Sequence, residues 1–399
     1  MTTGCTDTPE STSTAQPHRT SDSGIRAGYQ DAETLEFSPL IIDPLATEVV
    51  PVEGSDGRFW VAYELSVFNA SPRDATLTQV ETLLGGENGD VITTRDLNRV
   101  AANTMLLGGG EGSSEIPAGR TAIVVLRDSY PSRGEIPTSF THRIDATFAA
   151  PGDDAPRLAG IYPDQVEAIG GAVTTIDAEP LVIGAPVAGD NWYANNSLES
   201  LALNHHSNVV IPVGGRITGA ERYGIDFMKV DPVAQSSYNG DPALNTSYLA
   251  FDEPLLAVAD GRVVRVTSDH PDVAPKVLAD LQVVDDATGN QVVIDIGGGV
   301  YALYAHMKEA SATVEVGDIV TKGQEIGRLG NSGNTSEAHL HFQLQRSPLL
   351  SGENVAWVLE RFETVGALAP DGEAVMPPPD VGIRSAQLPI QGTIFSIPR

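Results

Sequence analysis

The sequence predicts an all-β protein of two domains: an immunoglobulin-like β-sandwich, then a second antiparallel β-sheet domain. Three observations carry this. At 399 residues the chain is too long for one ordinary core. Its 40 Gly and 27 Pro cut it into short runs. Those runs are β-branched, aromatic and alternating, with few patterns of helical period.

Taken in order, residues 1–35 read as a flexible tether, since eleven of the first 24 are Ser or Thr. Cys5, the sole cysteine, excludes a disulfide framework within the chain. "TTGC" around it resembles the end of a bacterial lipoprotein signal, although the apolar segment that precedes such a cysteine is not in the sequence. The expectation is a protein of the cell envelope or exterior, with a lipid on Cys5 as its one route to a membrane. The alternative is an unfolded cytoplasmic start with an idle thiol. No apolar run reaches the ~18 residues of a membrane-spanning helix. The 53 acidic against 24 basic residues give a formal charge of −29, a field that repels phosphate backbones and argues against nucleic-acid binding.

Residues 36–150 form the expected sandwich. In "FWVAYELSVFNAS" alternation places Val61, Tyr63, Leu65 and Val67 on one face. "RTAIVVLRD" is a similar run, with "GSDG" and "IPAG" as turns, and "VTTIDAEPLVI" (173–183) is another β-rich run further along. The Pro/Gly/Asp stretch "FAAPGDDAPRLAG" opens a linker over 151–199, and "GAPVAGDNWYANNS" reads as a loop into the next domain. The second domain spans 200–350. There "GNQVVIDIGGGVYALYAHM" is a hairpin pivoting on Gly297, Gly298 and Gly299. Residues 351–399 form an extension packing on that domain, with "NVAWVLERFETVGAL" as a short amphipathic helix and "QGTIFSIP" as a closing strand. "GGGEGSS" and "GGGV" are turns rather than phosphate loops, because no Lys-Ser/Thr or helix follows.

Function centres on histidine. In "SEAHLHFQL" a strand puts His339, His341 and Gln343 on one face, with Leu340, Phe342 and Leu344 on the other. His306 lies in the nearby strand "YALYAHM". Spacing alone leaves two readings open, a hydrogen-bonded pair or a metal site. His18, His142 and His270 fall in tether, sandwich and an Asp/Pro loop, with no such case.

The motifs "RYGIDF", "PLLAVADGRVVRV", "GNQVVIDIGGGVYALYAHM" and "GNSGNTSEAHLHF" occur in the order seen in the LytM, or lysostaphin-like, domain of the M23 zinc metallopeptidases, which this region resembles. The resemblance implies a duplicated hybrid motif: a small antiparallel sheet with a narrow groove and one Zn2+ at its floor. It implies Asp226 and His341 as metal ligands, and His339 and His306 as the groups acting on water and oxyanion. The substrate it implies is peptidoglycan peptide. Tyr301 or Tyr304 could add a hydroxyl to the oxyanion, or could simply pack in the core.

The chain departs from the family at H-x-G-x-D, where it reads Arg222-Tyr223-Gly224-Ile225-Asp226. A guanidinium has no lone pair to give a metal. The third ligand must come from elsewhere or the metal is lost. "LNHHSNVVIPVGG" offers His205 and His206; a family variant, R-[FY]-[AG]-I-D with a histidine upstream, resembles this arrangement and falls on His206. Arg222 would then pair with Asp226 or hold a substrate carboxylate. The expected function is a zinc endopeptidase of peptidoglycan cross-links. The alternatives are an inactive LytM-like module that binds wall or regulates a partner hydrolase, and a structural protein whose sandwich does the binding.

Overall fold

The computed structural model describes residues 38–398 apart from 153–156, 199–201, 351–352, 369–374 and 377–380. The expected tether and Cys5 lie outside these residues. The described chain is almost wholly β.

The N-terminal domain is a sandwich. One sheet runs Leu40–Pro44, Phe59–Asn69, Thr121–Tyr130, Thr104–Leu106; the facing sheet runs Glu48–Val49, Gln165–Thr175, Ser139–Phe148, Ala75–Leu84, Val91–Arg95. Val61, Tyr63, Leu65 and Val67 meet Leu77, Val80 and other residues of the second sheet in one core, as alternation requires. The opposite face of Phe59–Asn69 is also buried. Trp60 and Ala62 belong to the core of the second domain, and Glu64 is nearly solvent-free. A strand buried on both faces reads as a near-continuous apolar run, which "FWVAYELSVF" is.

Among the described residues twelve strands join the large second sheet. Its centre runs Gly189–Asn195, Ile225–Lys229, Leu340–Gln345, Tyr301–Met307, Asn290–Asp295, Gly261–Thr267. The expected hairpin is there: Asn290–Asp295 and Tyr301–Met307 pair antiparallel, and Gly297, Gly298 and Gly299 turn between them with positive φ.

Two expectations are corrected. The 151–199 linker is built into both domains: Gln165–Thr175 pairs with Ser139–Phe148 in the sandwich, and Gly189–Asn195, expected as loop, pairs with Ile225–Lys229. The expected helix at "NVAWVLERFETVGAL" is the strand Trp357–Leu368. Val355, Val358, Leu359, Phe362 and Val365 have helical spacing, which misleads. In the fold Gly382–Gln387 pairs this segment on one side, and Leu181–Ile183 and Thr393–Ile397 pair its two ends on the other. Ladder pairing and the complete burial of Trp357 and Phe362 override the local period. The C-terminal segment is thereby part of the same sheet.

Candidate metal centre

The register of the central strands builds the site. Asp226 stands directly opposite His341 on neighbouring antiparallel strands, and Ala305 opposite His341 on the other side. Alternation would turn His306 to the same side as Tyr304, into the core. It does not, because the ladder slips one residue there and His306 adopts φ +61, a left-handed conformation rare for a non-glycine residue. The bulge aims the imidazole towards His339 and His341, with ring centroids 4.7 and 6.1 Å away.

His206 arrives from outside this ladder, at the start of the short 3-10 turn His206–Asn208. Its Nε2 lies 3.0 Å from Asp226 Oδ1 and 3.0 Å from His341 Nδ1, which is itself 3.1 Å from that carboxylate oxygen. His206, Asp226 and His341 are buried and form a group able to hold a metal ion. A tetrahedral ion with bonds of about 2.0–2.1 Å would set its ligand atoms about 3.3 Å apart, so the cluster needs only a few tenths of an ångström of opening. The chemistry of the donor set fits zinc: two imidazole nitrogens and one carboxylate oxygen.

Supporting groups orient these ligands. Asn196 Nδ2 donates to Asp226 Oδ2 at 2.7 Å, leaving Oδ1 for the cluster, and His341 Nε2–H donates to Gln343 Oε1 at 3.1 Å. Gly224 leaves room for His206: a Cβ there would stand 3.1 Å from its Nδ1. His339 Nδ1–H donates to the Glu337 carbonyl at 2.7 Å, and His306 Nδ1–H to the Ser332 carbonyl at 2.8 Å. Each ring, when neutral, therefore keeps its lone pair on Nε2. His339 Nε2 lies 3.5 Å from Asp226 Oδ1.

The electrostatics follow from burial and from these neighbours. Burial alone would raise the Asp226 carboxyl, but the imidazoles of His206 and His339 and two hydrogen bonds hold it well below the usual carboxylate range. Burial would lower His341, yet the Glu221 and Asp226 carboxylates push it up to about 9. The metal-free protein thus carries a proton on His341 at neutral pH that an ion must displace. His306 is pushed well below the ordinary histidine value by burial, then by His339 and His341.

The structure brings together Asp226, His341, His206, His339 and His306 around a groove of about 600 Å³. His205 is exposed on its rim. Arg222 neither pairs with Asp226 nor faces the groove. The turn over 220–223 sends it to the sandwich, where Nε and Nη2 bind the Glu64 carboxylate at 3.1 and 2.5 Å. Tyr304 is a core residue whose hydroxyl accepts the Val258 N–H at 2.8 Å, and Tyr301 packs against a separate apolar cluster. Neither lines the groove. Glu221, beside Arg222, was not singled out from sequence; its carboxylate lies 3.9 Å from His206 Nε2 and 4.0 Å from His341 Nε2. Asn196 was also missed, and a single asparagine in "ANNS" carries no signal by itself.

An antiparallel β-sheet with a buried His–Asp–His cluster at the floor of a groove defines the class: a β protein built around a candidate metal site. Residues 248–355 match the model of Peptidase family M23, and the chain carries an M23 domain there. His306, His339 and His341 fall inside the match; His206 and Asp226 precede it. Among solved structures, a mutant catalytic domain of the prophage-encoded M23 protein EnpA from Enterococcus faecalis is similar at 20% identity. It covers 43% of this chain and 93% of that one, with a TM-score of 0.26. The catalytic domain of the antimicrobial peptidase lysostaphin from Staphylococcus simulans is 20% identical over 42% of this chain and 88% of its own, TM-score 0.24. The M23 metalloprotease pseudoalterin, of deep-sea origin, is 17% identical over 45% and 76%, TM-score 0.25. At these scores the family match carries the assignment.

Proposed function

We propose that this protein is a zinc metalloendopeptidase acting on the peptide part of peptidoglycan at the cell envelope, with a lipid on Cys5 as a further element of that proposal. The observation that carries it is the convergence of His206 Nε2, Asp226 Oδ1 and His341 Nδ1 to within 3.0–3.1 Å of one another. Two imidazole nitrogens and a carboxylate oxygen so placed would hold an ion at the floor of the groove. Zinc held there supplies Lewis acidity, activating water near neutral pH and polarising the scissile carbonyl.

The chain's own residues do the rest. His339, whose Nδ1–H is held by the Glu337 carbonyl, presents Nε2 to accept a proton from the attacking water and return it to the leaving amine. His306 has its Nδ1–H committed to Ser332, so it can donate to the oxyanion only after gaining a proton at Nε2. Burial disfavours that charge, so in the free protein His306 Nε2 is a proton acceptor beside the site.

Catalysis is favoured over a module that only binds wall because His306 and His339 each have Nδ1 tied to a carbonyl and Nε2 left for chemistry. The test is zinc-loaded protein incubated with purified peptidoglycan, scoring new free amines. Release by wild type, lost in His339→Ala while zinc is kept, is the expected result. Equal amine release by wild type and His339→Ala, or none by zinc-loaded wild type, would contradict it.

A further inference from the structure

Two members of the cluster, Asp226 and His341, are fixed by cross-strand pairing in the large sheet. His206 is not. Its segment forms the two-stranded ribbon Val210–Val213 and Arg216–Gly219, which among the described residues joins no other sheet. Asn204 Nδ2 donates to the Ser197 carbonyl at 2.7 Å and Asn354 Nδ2 to the Ala220 carbonyl, and the rest of the segment is held by the sandwich. Ser207, next to His206, accepts a 2.8 Å hydrogen bond from Arg127 Nη1, and both residues are buried. Arg127 lies on the sandwich strand Thr121–Tyr130. The Leu203 N–H donates to the Ala102 carbonyl at 2.9 Å. Leu203, Val210 and Ile217 pack on Met105, Ile123 and Val125 of the sandwich. The far end is closed by Arg222 on Glu64, with Gly219 pressed so close that a Cβ would stand 2.8 Å from Glu64 Oε2.

We propose that the sandwich is part of the metal site: Arg127 and Glu64 are positioning residues that hold residues 203–222 so that His206 Nε2 meets Asp226 and His341. This rests on the metal-binding reading above. The arginine at the family's ligand position acquires a purpose under it. Arg222 gives up the metal and anchors the segment that brings a replacement ligand. A buried ion pair between domains is weak as a source of stability but strong as a source of orientation, because only one geometry satisfies both charges. The proposal makes metal affinity depend on residues of a domain that contributes no ligand.

The test is zinc affinity by chelator competition on the full chain, with the ligand-field absorption of the cobalt(II) form as a second readout. Arg127→Ala and Ser207→Ala should weaken zinc binding by about tenfold or more, in the range of lost supports to metal ligands. Both should also diminish the tetrahedral cobalt band, and Arg127→Lys should recover part of each. The control is Ser55→Ala, which removes another sandwich contact: Ser55 Oγ is 2.7 Å from Thr393 Oγ1 and also accepts from the Ile390 N–H. It should leave affinity within about twofold of wild type, the scale of a change that does not touch ligand support. If Arg127→Ala does not fold, Ser207→Ala carries the test alone. Wild-type affinity in the folded variants, or an equal loss in Ser55→Ala, would overturn the inference while leaving the metal site standing. Wild type without affinity for zinc would overturn both.

Discussion

Two buried histidines, one in each domain, show what separates a structural imidazole from a functional one. His142 in the sandwich is fully buried, and both its nitrogens are satisfied: Tyr63 Oη donates to Nε2 at 2.8 Å, and Nδ1–H donates to the Gly171 carbonyl at 2.9 Å. Burial lowers it to about 4, so it stays neutral. His341 is as deeply placed, but its Nδ1 faces another imidazole nitrogen and a carboxylate oxygen, and two acidic neighbours push it up to about 9. Burial is common to both. What differs is whether the lone pairs end on partners or converge on one point. His306 sharpens the contrast, since the backbone itself is bent into φ +61 to bring it there.

The largest expected effect is at that bend. His306→Gly should lower turnover by about 10²–10⁴-fold, the usual worth of a proton-handling group. Its folding stability should stay within about 1 kcal/mol of wild type, because glycine accepts the left-handed conformation freely. Amine release and urea unfolding of one preparation check both. A large loss of stability would mean that the bulge serves the fold. His142→Ala should do the opposite. It leaves a cavity and an unpaired Tyr63 hydroxyl, and costs about 3 kcal/mol with zinc content unchanged.

The two histidines should also respond to pH in opposite senses. His142 is lower in the folded chain, about 4 against 6.5. Between those values the unfolded chain binds a proton that the folded chain refuses. Its contribution, about 3 kcal/mol, is therefore complete above pH 6.5 and lost as pH falls towards 4. His341 is raised in the metal-free fold. Its contribution is complete below 6.5 and lost as pH rises through about 9. Zinc must displace that proton, so affinity should fall about tenfold per unit as pH drops from about 8 to 6. Competition titrations across that range give the slope; a flat profile would remove the proton from His341. The smallest effect is expected for Gly224→Ala, whose Cβ would crowd His206 Nδ1 at 3.1 Å. About tenfold weaker zinc binding, with folding little changed, would place the steric demand at the ligand.

Much of this was legible in the sequence, for identifiable reasons. The H-x-H strand could be read because its period is 2 and its other face is Leu340, Phe342 and Leu344. The Gly297–Gly299 hairpin could be read because three consecutive glycines tolerate only a turn. The strand Trp357–Leu368 was hidden by apolar residues at helical spacing, which only its ladder partners contradict. His306 was found from its strand pattern and given its role by resemblance, but its direction was not legible: the bulge that turns it is a property of the pairing. Arg222 was recognised as a lost ligand, yet its partner Glu64 lies 158 residues away on a strand face that alternation alone would give to solvent. That second buried face could have been suspected from Trp60 and Ala62 on the same side as Glu64.

The central claim is that His206 takes the place of the ligand lost at Arg222. Metal content per chain after zinc loading and dialysis, measured side by side for wild type, His205→Ala, His206→Ala and His341→Ala, tests it most directly. The account predicts about one zinc per chain in wild type and His205→Ala, and loss in both His206→Ala and His341→Ala. Zinc retained in His206→Ala, or absent from wild type, would contradict it.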